Sequence, residues 1–449
     1  MDGLEADVCV VGAGYAGLTA ARRMQQAGKA VVVLEARARV GGRVWTNSHD
    51  GIPIDLGGTF LAPGHDAIRG LAAELGVGTH PTNTAGKHVL VHDGRVSRYR
   101  GLFPRISPVA IASLGLNMAR LDAMAKKVSL DEPWTGRRAR DWDARSAGAW
   151  LADRVHVPLS RSLLEASVRG LWTCDPSEVS LLHVLYLIRS AGGLNVLLST
   201  KGGYQQDQVD GGMQTMANRM AAELGDAVCL DVPVRAIFQT DGNVRVEGDG
   251  TTVRARRVVV AVPPALAANI TYDPPLPVDR AQVLERMPAG SMFKAAAVYD
   301  RPFWRDDGLC GESVSTKPPI ETSYDCSPPS GDAGIIMGFA FGPYARDLSR
   351  LSAGERRTVV LDTYRERFGL QAGSPLHYVD HDWAEEEWTR GCSAAHLPPG
   401  ILTQYGHVLR TPCGRIHWAG SETATVSHAA IDGAVRSGER AAQEVLAEP

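Results

Sequence analysis

The 449-residue chain has no Cys-x-x-Cys pair, although it contains seven cysteines. With an odd number at wide spacings, neither a disulfide framework nor a zinc site is suggested, and no metal is expected. A reducing compartment fits best. No stretch reaches the roughly 18 apolar residues that a membrane span needs. The start, MDGLEA, carries neither a basic region nor an apolar one, and this predicts a soluble, cytoplasmic protein. Neither sign of charge dominates: 47 Lys and Arg face 50 Asp and Glu, for a net charge of −3. The arginines are scattered, so neither nucleic acid nor a membrane surface is expected as a partner. Internal repeats and low-complexity segments are absent. The length, with 44% hydrophobic residues, suffices for two or three domains and a large core.

What is present is concentrated first at the N-terminus, in ADVCVVGAGYAGLTAARRMQQAGKAVVVLEARARVGGR, residues 6–43. Asp7 to Val11 reads as a buried parallel strand, Leu18 to Gln26 as a helix ended by Gly28, and Ala30 to Leu34 as a second strand. Between strand and helix stand Gly12, Gly14 and Gly17 in G-x-G-x-x-G spacing. Gly12 permits a tight turn, Gly14 lets the backbone approach a pyrophosphate, and Gly17 lets the helix pack on the sheet. The helix N-terminus offers free N–H groups to the anion. Glu35, at the end of the second strand, is placed to hydrogen-bond a ribose diol and would repel a 2′-phosphate. The whole unit predicts a dinucleotide site.

Further along, residues 62–80 read as a helix and turn, and 108–127 and 145–195 as mostly helical, with Asp143 or Ser146 as a helix cap. Strand alternation returns at 228–264, with turns at Asp241-Gly242 and Asp249-Gly250. Residues 290–345 suggest another sheet, 352–369 a helix, and 415 onward a strand, turn and helix. The predicted class is α/β: a discontinuous nucleotide domain of 1–80, 205–275 and 385–449, and a substrate domain of 81–204 and 276–384. Ligand clefts commonly form between such domains.

The chain resembles the flavin-dependent monoamine oxidases over nearly its whole length. The resemblance rests on VGAGYAGLTAA, LEARARVGGR, DLGGTF, AVPPAL, DPPLP, RPFWR, PPGILTQYG and WAGSETAT. It implies a two-domain flavoprotein with a Rossmann-like FAD-binding domain and a mixed-sheet α+β substrate domain. FAD would be contacted by Ala16 beside the glycines, by Ala36, Arg37, Gly42 and Arg43, and by Gly57, Gly58 and Thr59. Val234 would meet the adenine through its backbone. Gly420, Ser421, Glu422 and Ala430 would complete the site from the C-terminal motif.

The same resemblance gives Lys294 the role of the lysine that holds a water next to the flavin. A cation there stabilises charge developing during electron transfer to O₂. Trp383 matches a tryptophan lining the flavin, Gln205 a substrate-cavity glutamine, and Leu171 the cavity wall. Cys392 falls where some members attach FAD through a thioether; where those members carry Ser-Gly-Gly, this chain has Thr389, Arg390 and Gly391.

Family members usually present two facing tyrosines that flank the substrate nitrogen. Here Ser393 and Ala430 stand at those positions, and Ser427 replaces a tryptophan. An aromatic contact to a cation contributes roughly 0.5–2 kcal/mol, so the cavity is expected to be wider and less selective for small amines. His396 and His428 are candidate bases or orienting groups for a substrate. The resemblance therefore implies an FAD-dependent oxidase acting on a C–N bond of a bulky amine or amide, with O₂ reduced to H₂O₂. A homodimer is a further expectation. A desaturase or isomerase acting on a C–C bond, or a flavin-binding protein without catalysis, are the alternatives.

Overall fold

The structure is a computed structural model describing residues 3–101 and 106–448. Two large sheets organise it, one of eight strands and one of seven.

The first sheet grows from the valine runs. Leu4–Val11 lies between Val31–Leu34 and Thr251–Val260, all parallel, with Val10 opposite Val33 on one side and Val259 on the other. Buried parallel strands with both faces covered favour such near-continuous β-branched runs. Ile416–Trp418 adds parallel to Val258–Val260, and Val234–Gln239 and Val244–Gly248 extend the sheet antiparallel through the two Asp-Gly turns. Helix Tyr15–Gln26 follows the first strand three residues earlier than its apolar spacing suggests. It packs tightly on the last helix, Ile431–Ala447: a Cβ on Gly438 would come within 2.3 Å of the Ala16 carbonyl oxygen.

The second sheet centres on Met292–Tyr299, in which every residue is buried. It pairs antiparallel with Gly334–Phe341 and His377–Asp382. Helices Pro108–Ala125, Pro158–Trp172 and Leu181–Ser190 pack beside it around Leu164, Trp172 and Leu185. Ser146 caps helix Ala147–Arg154 by accepting a hydrogen bond from the Ala149 amide. Asp143 is not a cap. Its buried carboxylate instead accepts from Ser180 Oγ and from Thr403 N and Oγ1 at 2.6–2.8 Å. The predicted 352–369 helix spans Ala353–Phe368, held by a capping box between Ser352 and Glu355. The 62–80 segment forms a shorter helix than expected, Asp66–Glu74, followed by strand Thr79–Pro81. Among the described residues no helix is long and apolar enough to cross a membrane.

Candidate active site

A cavity of about 560 Å³ runs from the C-terminal edge of the first sheet to the face of the second. A second chamber of about 660 Å³ shares Phe60, Leu171, Gln205, Met292 and Phe339 with it and continues under the helices.

The first cavity begins at the glycine turn. Gly12 has φ +100°, and Gly17 has no room for a side chain: a Cβ there would lie 1.9 Å from the Gly12 carbonyl oxygen. Gly14 and Gly41 bridge, and a Cβ on Gly42 would stand 3.1 Å from Gly14 Cα. Two bare backbone segments thus meet above helix Tyr15–Gln26, whose Gly14 N-cap offers no side-chain acceptor to the first-turn N–H groups. This cradle suits a diphosphate. Glu35 is buried at one end, accepting from the Ala13 and Arg37 amides at 2.7 and 3.1 Å. Ala36, Val234 and Arg235 line the wall beside it. The shape and donors fit a flavin dinucleotide.

Arg43 anchors the middle. Its guanidinium forms a forked pair with Glu422 (2.6 and 3.0 Å) and donates to Ser421 Oγ and the Ser393 carbonyl. Burial alone would raise the Glu422 carboxyl, but Arg43 and the Ala395 amide outweigh it and hold it down at about 2. Arg43 faces the cavity; Glu422 lies behind it. Gly420, Ser421 and Ala430 complete this stretch of wall.

Lys294 projects from the all-buried strand toward the 55–59 segment. Its Nζ donates to the carbonyls of Asp55 (2.6 Å) and Gly57 (2.8 Å) and to Thr59 Oγ1 (2.9 Å). Burial lowers its pKa to about 8. An ammonium has three donors, and protein acceptors take all three, so a water-holding lysine would have to release one of these bonds. Gly57, Gly58 and Thr59 line the cavity directly. Trp383 does not. It lies wholly buried behind this segment, donating Nε1 to the Leu56 carbonyl at 2.7 Å. It supports the cavity wall rather than forming it.

Cys392 and Ser393 line the cavity; Lys294 itself does not and lies buried behind the 57–59 segment. Burial raises the Cys392 thiol to about 11, with Arg43 and Lys294 opposing. Thr173, in the left-handed region at φ 51°, holds this turn: its hydroxyl donates to the Cys392 carbonyl and accepts from the Ser393 amide. Gln205 lines both chambers and has a side-chain oxygen without a partner among the described residues. Leu171 likewise borders both.

The two histidines depart from expectation. His396 is not on the cavity wall; it lies buried beside Cys174 and Glu178. His428 does border the cavity, but its ring nitrogens are committed. The Leu397 amide donates to His183 Nδ1, so His183 Nε2 carries the proton and donates to His428 Nε2 at 3.1 Å. His428 Nδ1 then donates to the Ala424 carbonyl. Both rings are neutral, and burial pushes His428 down to about 4. No lone pair remains for a base. The pair instead fixes the turn that carries Ala429 and Ala430.

The sequence pattern did not single out Tyr204, Phe339, Tyr99, His88 or Glu312. Tyr204 and Phe339 wall the first cavity. In the second chamber Glu312 accepts from Thr200 Oγ1 at 2.7 Å and faces His88 Nδ1 at 3.4 Å. Bonding to Cys310 and Glu312 lifts His88 to about 10. These residues come from separate strands and loops, and only the fold brings them together.

The family model described as flavin containing amine oxidoreductase matches residues 15–446. The chain belongs to this family. It is a two-domain α/β flavoprotein, binds FAD and is an amine oxidase. A Mycobacterium tuberculosis protein named as a flavin-containing monoamine oxidase is 43% identical over 441 residues, covering 98% of this chain and 96% of that protein. Human amine oxidase [flavin-containing] B is 37% identical over 446 residues, covering 98% and 86%. Among solved structures, putrescine oxidase bound to putrescine superposes with a TM-score of 0.96 at 35% identity, covering 99% of this chain and all of that one. Cyclohexylamine oxidase from Brevibacterium oxydans gives 0.94 at 32% identity, covering 98% of each.

Proposed function

We propose that the enzyme oxidises a bulky amine, or an amide nitrogen's neighbouring C–H, to an imine, with O₂ reduced to H₂O₂. The observation that carries this reading is the open wall at Ser393 and Ala430, where side chains are small, next to a second chamber of about 660 Å³. A flavin held in this cavity would supply the redox chemistry, as the acceptor for a hydride equivalent from the carbon next to nitrogen and the donor of electrons to O₂. The protein's own residues position and exclude. Leu171, Phe339 and Met292 keep water from the reacting carbon, and the free Gln205 oxygen can accept from the substrate N–H. Lys294 places a positive charge beside the 57–59 segment.

The domain division follows the sheets. The strands of the first sheet fall within 1–80, 205–275 and 385–449, and those of the second within 81–204 and 276–384, which supports assigning flavin and substrate binding to these parts. All seven cysteines are free, which supports a cytoplasmic setting. The placement of Cys392 on the cavity wall supports a thioether to FAD; colour retained in an acid-precipitated pellet is the expected result, and colour in the supernatant excludes the bond. For the substrate, peroxide release is measured with primary amines, polyamines and bulky secondary amines. Turnover should favour the bulky set. Fast oxidation of benzylamine or tyramine contradicts the proposal.

A further inference from the structure

Outside the flavin cavity, the structure brings together Cys174, Glu178 and His396. A ring nitrogen of His396, Cys174 Sγ and a Glu178 carboxylate oxygen all lie within 4.8 Å of one another. Cys174 and His396 are 1% and 5% exposed, and Glu178 opens to solvent. His396 Nδ1 is shut off from water and has no hydrogen-bond partner among the described residues. A buried ring nitrogen without a partner is costly, and an unseen ion is one of the recognised reasons for such a group. No hydrogen bond joins the three side chains to one another among the described residues; Glu178 is held nearby by the Asp175 amide, which donates to its Oε2 at 3.0 Å.

We propose that these three residues form a binding site for a borderline divalent cation, Zn²⁺ being the best match. Thiolate, imidazole and carboxylate are the donors zinc takes, at about 2.0–2.3 Å. The ligand atoms of such a site are separated by roughly 3–4 Å, so the three need to close by about an ångström. Binding removes the Cys174 proton: the thiol gives H⁺ to solvent as its sulfur bonds the metal. Thiolate and carboxylate then neutralise the dication, and a water completes the tetrahedron on the open Glu178 side. Arg346 sits 3.4 Å from Glu178 Oε1 and is the competing cation.

The site's position gives it a consequence. Cys174 directly follows Thr173, the residue that grips Cys392 and Ser393. His396 lies on the continuation of that same turn, its amide bonded to the Pro288 carbonyl. A metal here clamps the end of helix Pro158–Trp172 to the segment bearing the cavity wall.

The test uses the full-length flavin-loaded enzyme, stripped with a chelator and titrated with Zn²⁺, and with Co²⁺ as a coloured substitute. Expected are one equivalent bound per chain, release of a proton, and a sulfur-to-cobalt charge-transfer band in the difference spectrum. C174S should abolish that band. C174S and H396Q should each weaken binding by at least about tenfold, the lower end of what disturbing even a ligand's support costs. Should C174S fail to fold, E178Q at the exposed ligand must weaken binding, and R346A must strengthen it. Absence of stoichiometric binding to the wild type overturns the proposal. So does a site whose affinity is the same in H396Q and E178Q.

Discussion

Lys294 is a lysine where a hydrocarbon would be expected, the third residue of a strand without an exposed residue. Burying its charge is expensive, and the three oxygens around Nζ are what make it tolerable. Its lowered pKa, about 8, sets a testable sign. As pH rises through that value the ammonium loses its proton, and any step that needs the positive charge slows. Reoxidation of the reduced enzyme by O₂, followed by stopped-flow, should therefore fall on the alkaline side. Lys294→Met should slow reoxidation on the order of a hundredfold, as for loss of one preorganised electrostatic contact, and should flatten that pH dependence. An unchanged rate contradicts the assignment. His428 gives the opposite expectation. Its nitrogens are committed and it stays neutral down to about 4, so His428→Asn should leave the shape of the kcat/KM profile between about pH 5 and 8 unaltered. Disappearance of an ionisation in that window would show that the ring does titrate in catalysis.

At the scale of elements, the cavity is shaped by where side chains are missing. The turn at Arg43–Trp45 and the segment Asp55–Thr59 run so close that a Cβ on Gly57 would stand 2.5 Å from the Trp45 amide nitrogen and 2.6 Å from the Arg43 carbonyl oxygen. Gly57→Ala must push the two apart, displacing the acceptors of Lys294 and the base of Arg43 together. The expected result is a folded protein purified with well under one flavin per chain, measured from the absorbance ratio; full flavin content would contradict it. This segment also shows what the sequence makes legible. The glycine turn, Glu35 and DLGGTF are local patterns, each imposed by backbone geometry within a few residues. The walls of the two chambers are not local. Thr173 grips a residue 219 positions away, and Glu312 meets His88 across a parallel pairing of strands distant in sequence. No spacing rule carries such contacts. His396 misled for the same reason: closeness to Cys392 in the chain does not determine which way the turn points its ring.

At the scale of the whole molecule, the first cavity is bounded by both sheets: Gly12 and Glu35 at strand ends of the first, Met292 and Phe339 on the second. A ligand held there contacts both halves of the chain and only in the folded state, so it stabilises their association by mass action, about 4 kcal/mol at a thousandfold excess over Kd. The Arg43–Glu422 pair joins the 43 turn to the C-terminal motif at the same place. Removing one partner of a buried pair costs about 3–5 kcal/mol because the other is left uncompensated. A bound diphosphate offers Arg43 a second anion, so Glu422→Gln should destabilise the flavin-free protein more than the flavin-loaded one. The measurement is urea denaturation of Cys392→Ala, from which FAD can be removed, with and without the second substitution and with and without added FAD. The protection given by FAD should be larger in the doubly substituted protein. Equal protection in both would mean that Arg43 does not face the phosphates, and would place the diphosphate away from the cradle formed by Gly14 and Gly42.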